Sequence, residues 1–350
     1  MAQSTIQGVA IRGVATSVPE LTFNNLRDTA AFPPEEVRKV VAMAGVSERR
    51  TADASTCSTD LCFAAAERLL ESLSWSRDSI GGLIMVTQTP DYFMPSSACV
   101  LHKRLGLSTD CAAFDLGLGC SGYVYGLWLA SMMLKTSGLG RVLLLHGETP
   151  THYASASDRA VSLLFGDAGS ATALELDDRA DASPMYFTLR TDGTGADDLI
   201  VEAGGFRDRF CADPRAHYVK MNGANVFNFT IKVVPPLIED TLRLANRGVS
   251  DIDYYVFHQS NRFIIKHLIA TCALPAERVP IILDRFGNPG GPSVPLTITQ
   301  GVPVLDGSGQ RWLMLLGYGA GLSWGAALVP LANDAVIRHS EYASRQLSAQ

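Results

Sequence analysis

The sequence lacks the features that mark disulfide-rich, metal-binding, membrane and nucleic-acid-binding proteins. Its seven cysteines, an odd number without a CxxC pair, argue against a disulfide framework and against a metal site. No apolar run approaches the ~20 residues that span a bilayer, and the segment MAQSTIQGVAIRG has no basic region followed by an apolar core. The formal net charge of -6 gives no support for binding nucleic acid. We therefore expect a cytoplasmic protein that binds no metal, membrane or nucleic acid.

What the sequence does contain predicts a well-packed enzyme-sized protein in two parts. Its 350 residues exceed the length at which a single hydrophobic core usually keeps growing. Apolar residues make up 47% of the chain and charged residues 18%, which is enough apolar material for a sizeable core. Two domains, or two fused halves, are therefore expected.

The stretch DLGLGCSGYVYGLWLASMMLKTSG, residues 115–138, carries the candidate nucleophile Cys120. A short apolar strand enters a turn that contains Gly117, Gly119 and Gly122, and a long apolar helix follows. Glycines permit a tight backbone, and the helix start aims free N–H groups and a positive dipole end at the sulfur. Both effects favour thiolate over thiol. The alternative for Cys120 is a small buried hydrophobic residue.

The second half of the chain repeats the plan of the first. Three segments match earlier ones in the same order: 248–261 with 75–90, 281–291 with 112–122, and 317–331 with 165–176. Such a repeat predicts two similar strand-helix halves side by side, with functional loops at strand ends and helix starts. The alternative is chance similarity among strands rich in small residues.

These matches predict how the chain is divided. Residues 1–176 form the half that carries the nucleophile, and residues 177–330 form the second half. Within the latter, residues 177–228 are predicted to be an insertion that links the halves. Residues 331–350 are polar, and we expect a short helix or disorder there.

Two residues of the second half are candidates to act with Cys120. His258 follows a predicted strand over Tyr254–Phe257, and Asn288 lies in the turn GNPGG that matches the turn of Cys120. If the halves pack as equivalents, all three side chains face one crevice, as nucleophilic catalysis requires. An amide donates N–H groups and cannot take a proton, so the set suits acyl capture on sulfur followed by stabilisation of an enolate. Taken singly, His258 has the alternative of a strand-end histidine, and Asn288 that of a turn residue.

The other six histidines have no comparable partner in the sequence. We expect surface or structural roles for His102, His146, His152, His217, His267 and His339.

Four segments in this order resemble those of a known enzyme family. GCSGYVYGL, HQSN, GNPGGPSVP and GYGAGLSWGAALV are similar to the nucleophile, histidine, asparagine and C-terminal glycine segments of β-ketoacyl-acyl carrier protein synthase III. The similarity runs from about Ile6 to Pro330. It implies an α/β protein with the thiolase-like fold, in which two pseudo-duplicated βαβαβ-type halves form an α/β/α/β/α layered structure.

The resemblance also implies a reaction, a decarboxylative Claisen condensation. Cys120 would accept an acyl group from a thioester of coenzyme A or phosphopantetheine, with its own N–H and that of Ala320 as the oxyanion hole. His258 and Asn288 would bind a malonyl thioester and stabilise its enolate, which attacks the acyl-cysteine. An acyl carrier protein is the implied partner, a homodimer the implied assembly, and no metal or organic cofactor is implied.

By the same matching, five further residues would bind substrate. Arg159, Gly223, Phe227 and Asn261 fall where the family lines its pantetheine and nucleotide tunnel. Met94 falls where the partner subunit closes the acyl pocket.

Four positions depart from the family pattern. Met43 stands where an arginine meets the phosphates of coenzyme A, and Lys39 where a tryptophan stacks on adenine, so weaker nucleotide binding is expected. Ala320 replaces a usual glycine in the oxyanion hole. Met94 replaces a bulky aromatic residue, and its flexible thioether would open the acyl pocket. We expect an acyl group other than acetyl, either longer or bound to a carrier, in fatty acid or secondary-metabolite biosynthesis.

Several other functions stay open at this point. A type III polyketide synthase, or an acyltransferase that passes the acyl group to an alcohol or amine, would use the same acyl-cysteine. A biosynthetic thiolase needs a second cysteine in the C-terminal glycine loop, and residues 317–321, GYGAG, contain none. An inactive scaffold subunit is disfavoured because Cys120, His258 and Asn288 are all present.

Overall fold

The computed structural model describes residues 2–179, 182–304 and 307–344 of the chain. Its strands are β1 (Ala2–Ile6), β2 (Val9–Pro19), β3 (Thr22–Asn24), β4 (Glu48–Arg50), β5 (Gly82–Val86), β6 (Ala112–Leu116), β7 (Arg141–Glu148), β8 (Ala168–Leu176), β9 (Met185–Thr191), β10 (Leu199–Ile200), β11 (Lys220–Met221), β12 (Tyr254–Phe257), β13 (Gln310–Gly319), β14 (Ser323–Ala332) and β15 (Val336–Tyr342). Its helices are α1 (Asn25–Asp28), α2 (Pro34–Ala44), α3 (Ser58–Leu73), α4 (Ser97–Leu105), α5 (Gly122–Thr136), α6 (Arg159–Ser162), α7 (Gly223–Leu244), α8 (Arg262–Thr271), α9 (Leu283–Phe286) and α10 (Ser293–Gly301).

Two large sheets carry the fold, and they share one strand pattern. The first sheet has the order β15-β2-β8-β7-β5-β6, and the second has the order β1-β9-β14-β13-β12. In the first, β5 runs parallel to β7, which pairs antiparallel with β8, which pairs antiparallel with β2. In the second, β12, β13, β14 and β9 repeat these directions in the same order. The predicted duplication is therefore present in the strand topology.

The two sheets face each other, and a shared layer of helices lies between them. Successive strand residues point to opposite faces, so Val142 and Leu144 of β7 join the cluster around α5, whereas Leu143 and Leu145 join the cluster around α3. The inner cluster contains residues of α5 and α10 together with both sheets. Helices α7 and α8 cover the outer face of the second sheet. The layers follow as α/β/α/β/α, as predicted.

The structure corrects three expectations about the second half of the chain. The predicted insertion 177–228 contains β9, which is an inner strand of the second sheet. The segment 281–291 was expected to repeat a strand and a turn, but it forms the helical turn α9 before Asn288. The polar C-terminal segment was expected to be a helix or disordered, but β15 pairs parallel with β2. Residues 345–350 lie outside the described residues, and the division of the chain at 176 and 330 stays a prediction.

Within the described residues, no helix has both the length and the apolar character that a membrane span requires.

Candidate active site

Cys120 lies in the turn between β6 and α5, one residue before the N-cap Ser121. Of the three predicted glycines, Gly122 is needed here for close approach, whereas a Cβ on Gly119 would meet only the flexible end of the Gln88 side chain. A Cβ on Gly119 would lie 2.2 Å from Gln88 Oε1, and a Cβ on Gly122 would lie 2.6 Å from a methyl group of Val86. Gly117 has open space around it, so the expectation that it shapes the turn is wrong.

The thiol of Cys120 is not activated in the way that the sequence suggested. Burial raises the pKa of Cys120 to about 11; the backbone N–H of Ala320 lowers it, Glu148 raises it, and its own N–H lowers it. Burial therefore outweighs the hydrogen bonds at the helix start, and the prediction of a favoured thiolate is wrong. A base must remove the proton when the sulfur reacts.

Cys120 opens into a cavity of about 390 Å³, which we call the inner cavity. Its lining residues are Gln88, Gly119, Cys120, Glu148, Pro150, Tyr153, Phe165, Leu199, Ile200, Val201, Val219, Gly290 and Ala320. The lining combines residues of both halves of the chain. It is apolar except around Gln88, Glu148 and Tyr153.

Gly290 lines the cavity of Cys120 and forms hydrogen bonds with both predicted partners, His258 and Asn288. The carbonyl of Gly290 lies 3.0 Å from Nδ1 of His258, and its N–H donates to Oδ1 of Asn288 at 2.9 Å. Both side chains are buried, with 2% of His258 and 5% of Asn288 exposed. The histidine and the asparagine therefore each bond to a residue that lines the cavity of Cys120, although neither side chain lines that cavity itself.

The contacts of His258 define which ring nitrogen is available. The carbonyl of Gly290 can only accept, so Nδ1 carries the proton of the neutral ring, and Oγ of Ser293 lies 2.8 Å from the same nitrogen. Burial lowers the pKa of His258 to about 4, although the Gly290 carbonyl opposes this. The ring is therefore neutral near pH 7, and because no donor among the described residues bonds to Nε2, that nitrogen can accept a hydrogen bond.

Asn288 is oriented as a donor. Its Oδ1 accepts from Gly290, and its Nδ2 donates to the carbonyl of Ser260 at 3.3 Å. Its backbone N–H donates to Leu164. One N–H of the amide remains for a substrate oxygen.

The loop between β13 and β14 closes over the sulfur. A Cβ on Gly319 would lie 2.7 Å from Cβ and 2.8 Å from Sγ of Cys120. The hydroxyl of Ser323 lies 2.6 Å from that of Ser121 and donates to the carbonyl of Ala320 at 2.9 Å. These bonds hold the N–H of Ala320 beside the sulfur, where an oxyanion hole would need it. An alanine at this position leaves the backbone donor intact.

A second cavity, the outer cavity, contains all four residues predicted to line the substrate tunnel. It measures about 520 Å³, and its lining residues are Val40, Met43, Ala44, Asp158, Arg159, Ala160, Leu164, Met221, Gly223, Phe227, Asn261, Phe263 and Ile264. Leu164 lines the outer cavity and its neighbour Phe165 lines the inner one. Arg159, Gly223, Phe227 and Asn261 are therefore brought together, next to the chamber of Cys120.

Several groups of the outer cavity are already engaged. Arg159 forms an ion pair with Glu36, and Oδ1 of Asn261 accepts from the N–H of Ile264 as the N-cap of α8. Phe227 stacks on Phe263 with ring centroids 5.6 Å apart. Met43 lines the cavity without offering a charge, as the sequence indicated.

Met94 lies apart from the other predicted residues. Its side chain is 82% exposed, and it lines neither cavity within the single chain.

The sequence interpretation missed Glu148 and undervalued His146. Both end strand β7, Glu148 lines the inner cavity, and burial raises the pKa of its carboxyl to about 8. Oε1 of Glu148 accepts from the N–H of Gln88, and Oε2 accepts from the hydroxyl of Thr89. Both ring nitrogens of His146 are buried without a hydrogen bond, 4.0 Å from Glu148 at the closest. The sequence signal that could have identified them was a polar residue at the end of an apolar strand, the same signal that identified His258.

In the described part of the chain, no group of three or more His, Cys, Asp and Glu side chains is arranged to hold a metal ion.

Comparison with known proteins identifies the family. A family model described as "3-Oxoacyl-[acyl-carrier-protein (ACP)] synthase III" matches residues 114–193, and one for the C-terminal part of the same synthase matches residues 242–331. A putative 3-oxoacyl-[acyl-carrier-protein] synthase 3 of Campylobacter jejuni is 33% identical over 335 residues, which cover 91% of this chain and 93% of that protein. This chain belongs to the 3-oxoacyl-[acyl-carrier-protein] synthase III family.

Solved structures of synthase III proteins agree with this. A 3-oxoacyl-(acyl-carrier protein) synthase from Burkholderia xenovorans has a TM-score of 0.92 at 39% identity, over 97% of this chain and 99% of that one. The synthase III from Pseudomonas aeruginosa has a TM-score of 0.81 at 27% identity, over 93% and 98%. The thiolase-like fold and the class of the enzyme, an acyltransferase of the condensing type, are thereby confirmed.

Proposed function

We propose that this synthase III takes an acyl group longer than acetyl onto Cys120 and condenses it with a malonyl thioester. The observation that supports this proposal is the double contact of Gly290, a lining residue of the cavity of Cys120, with His258 and Asn288. A nucleophile, a free acceptor nitrogen and an amide donor around one chamber are the groups that the two stages need.

In the first stage the acyl group moves to sulfur. Nε2 of His258 takes the thiol proton, and the sulfur attacks the thioester carbonyl. The N–H groups of Cys120 and Ala320 donate to the developing oxyanion. The carbon–sulfur bond to the carrier then breaks, and the carrier leaves as a thiolate that solvent protonates.

In the second stage the malonyl carboxylate leaves as carbon dioxide. The electron pair forms an enolate, whose oxygen accepts from Nδ2 of Asn288 and from the proton that His258 now holds on Nε2. The enolate carbon bonds to the acyl carbonyl, the carbon–sulfur bond to Cys120 breaks, and the sulfur recovers its proton from His258.

The size and lining of the inner cavity support an acyl group longer than acetyl. A volume of about 390 Å³ lies within the range of ordinary ligand pockets and far exceeds a two-carbon group. Leu199, Ile200, Val201 and Val219 supply apolar walls.

The outer cavity supports a thioester of a carrier protein over one of free coenzyme A. Arg159 is paired with Glu36, and Met43 offers no charge to the nucleotide phosphates. The homologues are named for acyl-carrier-protein substrates. We accordingly propose an acyl carrier protein as the partner.

The test is intact-protein mass spectrometry with acetyl-coenzyme A, octanoyl-coenzyme A and octanoyl-carrier protein, followed by malonyl thioester. We expect the octanoyl adduct to form faster than the acetyl adduct, and fastest from the carrier protein. Malonyl thioester should then discharge the adduct and release one carbon dioxide for each product. Discharge to an alcohol or amine without carbon dioxide would contradict the condensation and indicate an acyltransferase of another kind.

A further inference from the structure

The outer cavity offers little positive charge to the carrier end of a thioester. Among the described residues that line it, only Asp158 and Arg159 bear a formal charge, and the others are apolar side chains, Gly223 and Asn261. Arg159 is therefore the one lining cation that a phosphate group could use.

That cation is already engaged by a residue of the neighbouring helix. Nη1 of Arg159 donates to Oε2 of Glu36 at 2.5 Å, and the two side chains are 52% and 38% exposed. Glu36 lies in the first turn of α2, and Val40 and Met43 of the same helix line the outer cavity. The ion pair therefore links two helices, α2 and α6, that both contribute to this cavity.

The charges around Arg159 are unfavourable for a nucleotide. Asp158 precedes Arg159 as the N-cap of α6, and Oδ1 of Asp158 accepts from the N–H of Ala160 at 2.9 Å. Two carboxylates, on Asp158 and Glu36, thus accompany a single guanidinium. Coenzyme A carries a diphosphate and a further phosphate on its ribose, whereas the pantetheine arm itself carries none.

We propose that Glu36 is a specificity-determining residue, which lowers the reactivity of coenzyme A thioesters by occupying Arg159. A carboxylate and a phosphate bind a guanidinium through the same N–H donors, so Glu36 competes with the nucleotide for that group. A pantetheine arm without a nucleotide has no such competitor. This inference rests on the proposed function, and it names the residue that disfavours the free nucleotide carrier.

The experiment compares octanoyl-pantetheine, octanoyl-4′-phosphopantetheine and octanoyl-coenzyme A, which share the acyl group and the reacting end but differ in phosphate content. The second-order rate constant for the Cys120 adduct is measured by intact-protein mass spectrometry for the wild type and Glu36→Gln. Glutamine keeps a carbonyl oxygen for Arg159 and removes the negative charge. We expect a gain of about threefold with octanoyl-coenzyme A, the size that an exposed ion pair permits. The gain should be smaller with the phosphopantetheine thioester, absent with the pantetheine thioester, and should decline as salt is added.

Two controls separate competition for Arg159 from other effects of the substitution. Glu35→Gln removes the same charge from the same turn of α2, at an exposed residue that forms no ion pair with Arg159. The effect of Glu36→Gln is also measured in an Arg159→Gln background, where the competition no longer exists. Thermal midpoints near that of the wild type are expected for Glu36→Gln and Glu35→Gln, because neither residue is buried.

A gain of about twofold or more with octanoyl-coenzyme A, absent in Glu35→Gln and lost in the Arg159→Gln background, supports the inference. A smaller gain overturns it, as does a gain shared by octanoyl-pantetheine or by Glu35→Gln, or one that survives without Arg159. Each of these results leaves the proposed function intact. If no octanoyl thioester forms an adduct with Cys120, octanoyl-carrier protein included, both are overturned.

Discussion

The two halves of this chain share one strand topology but supply different chemistry to the candidate site. The turn after β6 carries a single reactive group, the thiol of Cys120, whose pKa burial raises to about 11. The turn after α9 carries Asn288 and Gly290, and Gly290 bonds to both Asn288 and His258. In the proposed reaction, one half supplies the group that forms the covalent bond, and the other supplies the groups that move the proton and orient the carbonyl.

The difference shows what duplication offers an enzyme of this kind. The thiol of Cys120 stays protonated because burial raises its pKa, while hydrogen bonds within the second half orient His258 and Asn288 before any substrate arrives. Such fixed dipoles need no reorganisation during the reaction. Substitutions of these groups should therefore separate the steps of the reaction that each group serves.

The largest expected effect comes from removing the sulfur, Cys120→Ala. We expect no acyl adduct and no condensation, measured by intact-protein mass spectrometry and product formation. Cys272→Ala is the matched control, because burial also raises the pKa of Cys272 to about 11, yet that thiol lies at the C-terminus of α8. Adduct formation that persists in Cys120→Ala and disappears in Cys272→Ala would reverse the assignment of the nucleophile.

The next largest effect is expected from His258→Ala, which should slow acylation of Cys120 by about 10²–10⁴-fold at pH 7. With a pKa of about 4, His258 is already a neutral base at pH 6, so the wild-type acylation rate should be nearly constant from pH 6 to 8. Without that base only the thiolate reacts, and because the thiol pKa is about 11, the rate should rise about tenfold per pH unit. The measurement is the initial rate of adduct formation against pH.

A second buried histidine provides the control for this pH profile. Burial also lowers the pKa of His339 to about 4, but His339 contacts Thr16 at the edge of the first sheet. His339→Ala should keep the flat profile. A wild-type rate that already rises tenfold per unit would show that His258 does not take the proton.

Asn288→Asp is expected to separate the two stages. Aspartate keeps the oxygen that accepts from Gly290, but it loses the amide donor and places a carboxylate near the enolate. Condensation should fall about 10²–10³-fold, the usual effect of removing one donor to an oxyanion, while adduct formation on Cys120 changes far less. Carbon dioxide release and adduct formation are measured on the same samples. An equal fall in both would show that Asn288 also acts in acyl capture.

The sequence predicted much of this site because its determinants are local. Strand β12 begins and ends where the sequence predicted a strand, at Tyr254 and Phe257. His258 directly follows that strand, and the meeting of Cys120, His258 and Asn288 at one crevice stays a prediction from the repeat. The tunnel residues came from resemblance to a family and line one cavity as expected.

What the sequence could not predict depends on residues distant along the chain. The pKa of Cys120 is set by burial under segments as far apart as Glu148 and Ala320, and no local pattern encodes that burial. Strand β15 was missed because a polar segment becomes a strand only by pairing its backbone with β2, more than 300 residues earlier. Glu148 was missed because a lone acidic residue at the end of a strand is a weak signal, which does not show whether the carboxyl faces a cavity.

The smallest effect is expected from Gly319→Ala, because Gly319 of the second half lies against Cys120 of the first half. Gly319→Ala would place a methyl group 2.8 Å from Sγ of Cys120, so the loop must shift, at a cost of about 1–3 kcal/mol in unfolding free energy. Acylation should slow because the N–H of Ala320 moves with the loop. Gly117→Ala is the matched change in the first half, where nothing lies within 4 Å of the added carbon, and both stability and acylation should stay near wild type. Denaturant unfolding and adduct formation on both variants test this. Equal effects would mean that the turn of Cys120, and not the loop opposite it, determines the space available to the sulfur.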